Sequence, residues 1–194
     1  MLKYILLCVL AGTAYWALVM YPVKHGSGET APKAPKLELI RSFEPIEFQD
    51  YSFLAFKKFK GEVRVLHKKR YLFDAKKDIA PIDLLVGWGE MSDERNIDFI
   101  QFNLNHRDVT LNYIHPPIPE DEISKQMILF HLVTESDSVT KKIRRLRIGN
   151  NIELEGLYIR QQSTPSIIWN SESNNNYPNT IEKSILWVTK LEVF

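Results

Sequence analysis

The sequence SILWVTKLEV, residues 184–193, alternates apolar and polar side chains close to the end of the chain. Successive side chains of a strand point to opposite faces, so this alternation predicts a β-strand. A strand so near a terminus stays in place only when one of its faces is buried. The face predicted to be buried carries five side chains: Ile185, Trp187, Thr189, Leu191 and Val193.

Similar short segments occur throughout the preceding sequence, which favours a mainly β domain. They lie at 46–55, 62–72, 99–115, 127–133 and 152–159. Within the first of them, Gln49-Asp50 indicates a tight turn between two strands, at 46–48 and 51–55. Within the third segment, Asn105 to Asp108 supply turn residues between two alternating arms, which is typical of a β-hairpin. The continuous apolar run Met127 to Val133 indicates a strand buried on both faces. Ser171 to Asn179 reads as a polar loop.

Three short helices are also indicated. Ser92 precedes two acidic residues, as an N-cap does, and Pro119 begins a proline-acid pattern that predicts a helix to about Gln126. Ser136 would cap a third helix that ends by Gly149, with an apolar face of Val139, Ile143 and Leu146 at helical spacing. The predicted fold class is therefore mainly β with short helices (α+β). An antiparallel barrel or sandwich fits this order of elements, and the OB-type barrel is one such option.

The run Tyr4 to Val23 contains no charged residue, and as a helix it would be about 30 Å long, the hydrocarbon thickness of a bilayer. Cleavage of a signal peptide after Gly12-Thr13-Ala14 would leave an apolar core of only about seven residues, so an uncleaved transmembrane helix is the better interpretation. The predicted organisation is an anchor at 1–25, a linker at 26–40 and a soluble β-rich domain at 41–194. Cys8, the only cysteine, lies within the anchor.

Two arguments predict opposite orientations of the anchor in the membrane. Basic residues are more numerous after the run than before it, where only Lys3 lies, and the positive-inside rule then favours a cytoplasmic domain. A three-residue tail with one lysine before an apolar run is, however, how export signals begin. We expect an exported domain, on the side of the membrane away from the cytoplasm.

The charge is nearly balanced, since residues 25–194 hold 23 basic and 24 acidic side chains. This argues against nucleic acid as a partner. Two segments are nevertheless basic and include aromatic neighbours, which suits anionic lipid headgroups or other anionic ligands. The alternative is a solvated strand edge and helix face. The candidate ligand-binding residues are Lys57, Lys58, Lys60, Arg64, Lys68, Lys69, Arg70, Lys141, Lys142, Arg144 and Arg145.

The stretch DLLVGWGEMSD, residues 83–93, is the most distinctive part of the sequence. Glycines on both sides of a tryptophan permit close backbone approach, and acidic residues lie nearby. A structural reading is a strand that ends in a bend, with Trp88 covering the core. The functional reading is a pocket formed by five residues: Asp83, Trp88, Glu90, Asp93 and His131. No catalytic motif, metal-binding spacing or cofactor motif is present in the sequence.

Three groups of residues carry a resemblance to a family of bacterial envelope proteins with one N-terminal transmembrane helix. They are Pro81 to Asp93, the pair His131-Leu132, and the glycine-bounded segment Gly149 to Gly156. A cysteine expected before the last strand is missing. The family has no assigned activity, so the resemblance implies an anchored envelope domain and transfers no catalytic residues. Three hypotheses follow: a non-enzymatic interaction module that contacts envelope components, a barrel that binds anionic ligands, and an enzyme with a site near Gly87 to Asp93 and His131.

Overall fold

The structure, a computed structural model, describes residues 2–40, 44–162 and 180–194, without the side chains of residue 2 and residues 16–20. The predicted loop Ser171 to Asn179 and the predicted domain start at residue 41 lie outside the described residues. The helices are α1 (Leu2–Met20), α2 (Glu94–Ile97), α3 (Glu120–Lys125) and α4 (Asp137–Arg145), with a 3₁₀ helix at Gly89–Ser92. The strands are β1 (Lys36–Leu39), β2 (Ile46–Phe48), β3 (Tyr51–Arg70), β4 (Ile82–Gly87), β5 (Gln101–Asn105), β6 (Asp108–Asn112), β7 (Met127–Val133), β8 (Asn151–Gln161) and β9 (Glu182–Val193). The mainly β fold class is thus confirmed.

The 20-residue strand β3 is the centre of the main sheet. One of its edges pairs with β8, and its other edge pairs in succession with β2, β1 and β4. From β4 the pairing continues through β7 and β9 to β8, which returns to β3. Only β7 and β9 run parallel among these pairs. Strand β3 has one extra residue at Phe56 and another at Leu66, and such bulges bend a strand.

Strands β3, β4, β7, β9 and β8 form this closed path of pairing, and the first apolar core lies on the face that they share. Its aromatic centre is Phe130, whose ring is 5.0 Å from that of Phe59 and 5.7 Å from that of Tyr158. Edge-on contacts of this kind stabilise a core beyond the area that they bury. Helix α4 covers one end of this core with the side chains predicted from its helical spacing: Val139, Ile143 and Leu146.

The opposite face of β4 and β7 is covered by an insertion, residues 88–126, that contains the hairpin β5–β6 and helix α3. Its core joins Leu85 and Leu129 of the sheet to Leu104 of the hairpin and Ile123 of α3. Both faces of β4 and β7 are therefore buried. This is why all seven residues of β7 are buried and why all of them except His131 are apolar.

Several predictions made from the sequence are confirmed. Strand β7 has the predicted bounds, and the hairpin turns at His106 and Arg107, whose φ angles are +50° and +63°. Ser136 caps α4 by accepting a hydrogen bond from the Val139 amide. Strand β2 turns into β3 through Gln49 and Asp50, as the alternation there indicated.

Other predictions are corrected. Asp93, not Ser92, is the N-cap of α2, because Ser92 belongs to the preceding 3₁₀ helix. The segments at 51–55 and 62–72 form one strand, since bulges rather than a break absorb the bend. The prediction that one face of β9 is buried is wrong. The sheet packs on both sides, and Thr189 is an extra residue in the pairing with β8, which shifts the alternation of the side chains. The two clusters of apolar side chains are Leu186, Val188 and Leu191 on one face and Ile185 with Trp187 on the other.

The N-terminal segment consists of α1 and an extended region that follows it. All described side chains from Lys3 to Tyr15 are exposed, Cys8 among them. Within the described residues, no helix is both long and apolar enough to qualify as a membrane span. The segment that follows α1 packs against the β-rich domain. The Val23 amide donates to Ile148 O at 2.8 Å, and Ala31 is fully buried.

We expect Phe130→Ala to lower the free energy of unfolding by about 3–5 kcal/mol, because it leaves a cavity in the aromatic centre of the core. Phe73→Ala is the matched control, since Phe73 is 98% exposed and Phe130 is fully buried. Urea titration of the purified chain measures both. Equal effects of the two substitutions would contradict the position of Phe130 in the core.

Candidate functional site

The segment Gly87-Trp88-Gly89 turns the chain from β4 into the 3₁₀ helix and requires both glycines. Gly89 has a φ of +55°, where side chains other than glycine are strained. A Cβ atom at Gly87 would lie 2.7 Å from Met91 O and 2.8 Å from Leu66 Cδ1. Strand β4 therefore ends in a bend that depends on both glycines, as the structural reading of residues 83–93 predicted.

Backbone hydrogen bonds hold the tryptophan of this bend from two sides. The Trp88 amide donates to Gln126 O at 3.0 Å, and the Gly89 amide donates to Ala31 O at 2.8 Å. The Gln126 side chain accepts a further hydrogen bond from the Glu90 amide at 2.7 Å. The half-buried Trp88 side chain thus has a fixed backbone and lies against the first core.

Asp93 fixes the segment that follows α1. Its Oδ1 atom accepts hydrogen bonds from the amides of Gly28, at 3.1 Å, and Arg95, at 2.9 Å. Its Oδ2 atom accepts from Arg95 Nη2 at 2.6 Å. The hydrogen bonds of the Arg95 side chain, and then the two amides, lower the pKa of Asp93 against the opposing effect of burial. Asp93 is thus an ionised structural acid.

Arg64 and Glu94 form an ion pair beside Asp93. Arg64 is 1% exposed, and its guanidinium donates to Ser92 O at 2.9 Å and to Glu94 Oε2. Burial alone would raise the pKa of Glu94. The hydrogen bonds from Arg64, the His25 amide and Lys24 outweigh burial and bring this pKa to about 2. The pair joins β3, α2 and the N-terminal segment.

Asp83 and His131, on neighbouring strands, form the closest acid–base pair of the predicted pocket. His131 Nδ1 lies 2.8 Å from Asp83 Oδ1. The same oxygen accepts from Arg107 Nη1 at 2.8 Å, and Arg107 Nη2 donates to Asp74 Oδ1 at 2.6 Å. Arg107 comes from the tip of the β5–β6 hairpin, so this network fastens the insertion to the sheet.

Tyr71 completes this network by covering the guanidinium of Arg107, whose Cζ atom is 3.6 Å from the ring centroid. Burial, followed by the nearby charge of Asp83, raises the pKa of Tyr71. The Tyr71 hydroxyl and Asp83 Oδ2 are both buried, yet neither meets hydrogen-bond geometry with any partner among the described residues.

Burial decides what the Asp83–His131 pair can do. Asp83 is fully buried and His131 is 3% exposed. A histidine oriented by a carboxylate is the arrangement of many general bases, but such a base must reach a proton of the substrate. Here both side chains are buried and Arg107 binds the same carboxylate oxygen, so the three residues form a buried polar network.

The five residues of the predicted pocket therefore do not form one site. The structure brings Asp83 and His131 together, as described above, while Asp93 binds the N-terminal segment. Glu90 is exposed. The sequence reasoning missed Arg107 and Glu94. The left-handed turn at Arg107 gives a charged side chain a fixed direction, but its partners come from distant segments that no local pattern identifies.

A cavity of about 600 Å³ lies beside Trp88, at the end of the sheet where β4 ends and β7 and β9 begin. Its apolar wall includes Phe59, Met127 and Tyr158. Its charged side chains are Asp121, Lys125 and Glu182. This volume is within the range of small-molecule sites, roughly 300–1,000 Å³.

The candidate basic residues are not gathered into one free surface. Lys60 pairs with Glu155 at 2.8 Å, and Lys68 donates to the carbonyls of Arg144 and Leu146. Lys69 donates to Leu104 O at 2.5 Å. Arg64 and Lys142 also have internal partners, at Glu94 and Glu192. The exposed members of the set are Lys58, Lys60, Arg70, Lys141, Lys142, Arg144 and Arg145, with Lys57 half-buried.

Comparison with known proteins gives no relatives: no family model, no curated protein and no solved structure matches the chain. Among the described residues, no group of three or more histidine, cysteine or acidic side chains is placed to hold a metal ion. The description of the site thus rests on the geometry of this chain.

Arg107→Met is expected to lower the free energy of unfolding by about 3 kcal/mol or more, because it leaves the buried Asp83 carboxylate without its cationic partner. Arg70→Met is the control, since Arg70 is exposed and its substitution should change stability by less than about 0.5 kcal/mol. Urea unfolding of Arg107→Met, of Asp83→Asn and of the variant that combines them measures the coupling between the two residues. Additive effects of the two changes would contradict a shared network.

Glu94 should make stability depend on acid pH. Its pKa of about 2 in the folded chain is below the ordinary value of 4.5, so its contribution is complete above about pH 4.5 and is lost as the pH falls toward 2. We expect the loss over this interval to be smaller by about 2 kcal/mol in Glu94→Gln than in the wild type. Thermal and urea unfolding at a series of pH values test this expectation.

Glu90→Gln is the matched control for Glu94→Gln, because Glu90 is exposed and lies only four positions away. It should retain the pH dependence of the wild type. If Glu94→Gln lost as much stability at acid pH as the wild type and Glu90→Gln, the ion pair between Glu94 and Arg64 would not govern this loss.

Proposed function

We propose that this chain is a single-pass protein of the bacterial inner membrane whose β-rich domain is a non-enzymatic interaction module on the periplasmic side. The observation that carries the proposal is the exposure of α1. Tyr4, Ile5, Leu6, Leu7, Val9 and Leu10 are each between 56% and 76% exposed. With Cys8 between them, these residues surround the first half of the helix, and a helical segment that is apolar on all sides is stable in an apolar environment. A bilayer supplies that environment.

The contacts of residues 23–31 place the domain directly after the proposed anchor. Lys24 lies 3.0 Å from Glu94 and 2.5 Å from Asp98, and His25 Nε2 lies 2.7 Å from Gly149 O. A segment bound in this way does not act as a long flexible spacer. In the proposed arrangement, the surface around these residues would therefore face the headgroups of the bilayer.

An OB-type barrel is the proposed architecture of the domain. The order of pairing supports it, because β3 pairs with both β4 and β8 while β7 and β9 run parallel. The position of α4 between β7 and β8, against the core, also fits this architecture. In OB folds the face of the second and third strands binds oligonucleotides or oligosaccharides.

That face, which here corresponds to β4 and β7, is covered by residues 88–126 and fastened by Arg107. Its coverage argues against nucleic acid, as does the nearly neutral charge. Binding of anionic ligands by the basic residues is supported less well, because Lys60, Lys68 and Lys69 are engaged within the domain. The burial of His131 weakens the enzymatic alternative. An interaction module is the reading that these observations favour.

Extraction of the membrane fraction tests the anchor. The full chain, expressed in a bacterial host, should stay in the membrane pellet at alkaline pH and be released by detergent. Leu10→Arg should reduce the membrane-bound share, because arginine near the centre of a membrane helix is unfavourable by about 2.5–3.5 kcal/mol. Leu39→Arg is the matched control, since Leu39 is also exposed but lies on β1. A wild-type chain in the soluble fraction would overturn the proposal.

The side of the membrane needs a separate measurement. A reporter that is active only outside the cytoplasm, joined after Phe194, should be active in the full-length fusion. A reporter that fluoresces only in the cytoplasm should be silent at the same position. The reverse pattern in stable fusions would assign the domain to the cytoplasm.

A further inference from the structure

The cavity beside Trp88 has the size and the walls of a ligand site. Phe59 and Tyr158 form one wall, with ring planes only 17° apart and centroids separated by 6.0 Å. Trp88 and Ile128 extend the apolar lining. Cavities lined mainly by apolar and aromatic side chains, with few polar groups, are typical of sites for small molecules.

The walls of this cavity are held in place without a ligand. Trp88 is positioned by the hydrogen bonds of its own amide and of the Gly89 amide, and Tyr158 is 2% exposed. Phe59 is 1% exposed and contacts Phe130 in the core. Binding would order few side chains, which favours affinity for a small molecule.

The charged residues of the cavity differ in their pairing. Lys125 is 2.9 Å from Asp121 and 3.1 Å from Glu122, so its charge is neutralised by neighbouring acids. Glu182, by contrast, forms no ion pair within 4.0 Å among the described residues. Burial raises the pKa of Glu182, and the charge of Lys57, which does not line the cavity, acts in the opposite direction.

The negative charge of Glu182 affects the pKa of Tyr158 in the aromatic wall. Burial raises the pKa of Tyr158, and the charge of Glu182 raises it further. An anion here would meet an acid and the negative faces of aromatic rings, whereas a cation is attracted by both. The lining therefore selects a positively charged group on an apolar body.

We propose that this cavity binds a small amphiphilic cation, in which an amine pairs with Glu182 and an apolar or aromatic body contacts Trp88 and Leu37, the more exposed apolar residues of the lining. The site lies on the β-rich domain and does not depend on α1 or on the side of the membrane. It adds a ligand class to the proposed interaction module. Binding and anchoring can therefore fail independently of each other.

Three compounds of nearly equal shape test the charge preference. They are 2-phenylethylamine, 2-phenylethanol and 3-phenylpropanoate, which at neutral pH are cationic, neutral and anionic. Titration calorimetry of the full chain in a non-ionic detergent measures each affinity, with protein-free micelles as the blank. We expect the amine to bind about tenfold more tightly than the acid, a difference that corresponds to about 1.4 kcal/mol.

Two glutamates on the same strand provide a matched pair of variants. Glu182→Gln should weaken the amine about fivefold or more and bring its affinity close to that of the alcohol. Glu192→Gln, which alters an acid paired with Lys142 outside the cavity, should leave all three affinities unchanged. Thermal unfolding of both variants verifies that they are folded.

A substitution in the wall tests the location. Trp88→Leu should weaken the amine and the alcohol together, because both lose the indole contact. Equal affinities of the three compounds for the wild type, or no binding of any, would overturn the proposal. Unchanged amine binding in folded Glu182→Gln, or an equal loss in Glu192→Gln, would do the same.

Discussion

One long strand must use both of its edges, and the rest of the structure depends on this constraint. Strand β3 pairs with β8 on one edge and with β2, β1 and β4 on the other. A straight strand of 20 residues would extend well beyond its partners, since each residue adds about 3.3 Å. The extra residues at Phe56 and Leu66 bend it, so that the pairing path returns to its start.

The charges of β3 follow from this position. Because strands and inserted segments contact both edges and both faces, several of its basic side chains find partners within the domain. Arg64 is buried against Glu94, and Lys68 binds the carbonyls at the end of α4. A basic segment that looks like a binding face in the sequence thus stabilises the attachment of α2, α4 and the N-terminal segment. Removing one member of a buried pair leaves an uncompensated charge, which makes such pairs structural requirements.

The same insertion that fills one face of the sheet leaves a cavity at its end. Residues 88–126 cover the outer face of β4 and β7, where Arg107 holds Asp83, and bury His131. At the start of this insertion the backbone bends at Gly87 and Gly89, and Trp88 becomes a wall of the cavity. The acid–base pair is therefore buried beneath the insertion, while the cavity lies where β4 ends.

The sequence by itself determined the features that depend on local periodicity and turn chemistry. It predicted the mainly β class, the run Met127 to Val133, the hairpin and the cap at Ser136, because backbone geometry sets these patterns within a few residues. Only the tertiary structure decided which face of β9 is buried, since the sheet packs on both sides and Thr189 shifts the alternation. It also decided that Arg107 meets Asp83 and that Glu182 lies in the cavity with Trp88. These pairs join distant segments, and strand pairing, which no local pattern encodes, brings them together.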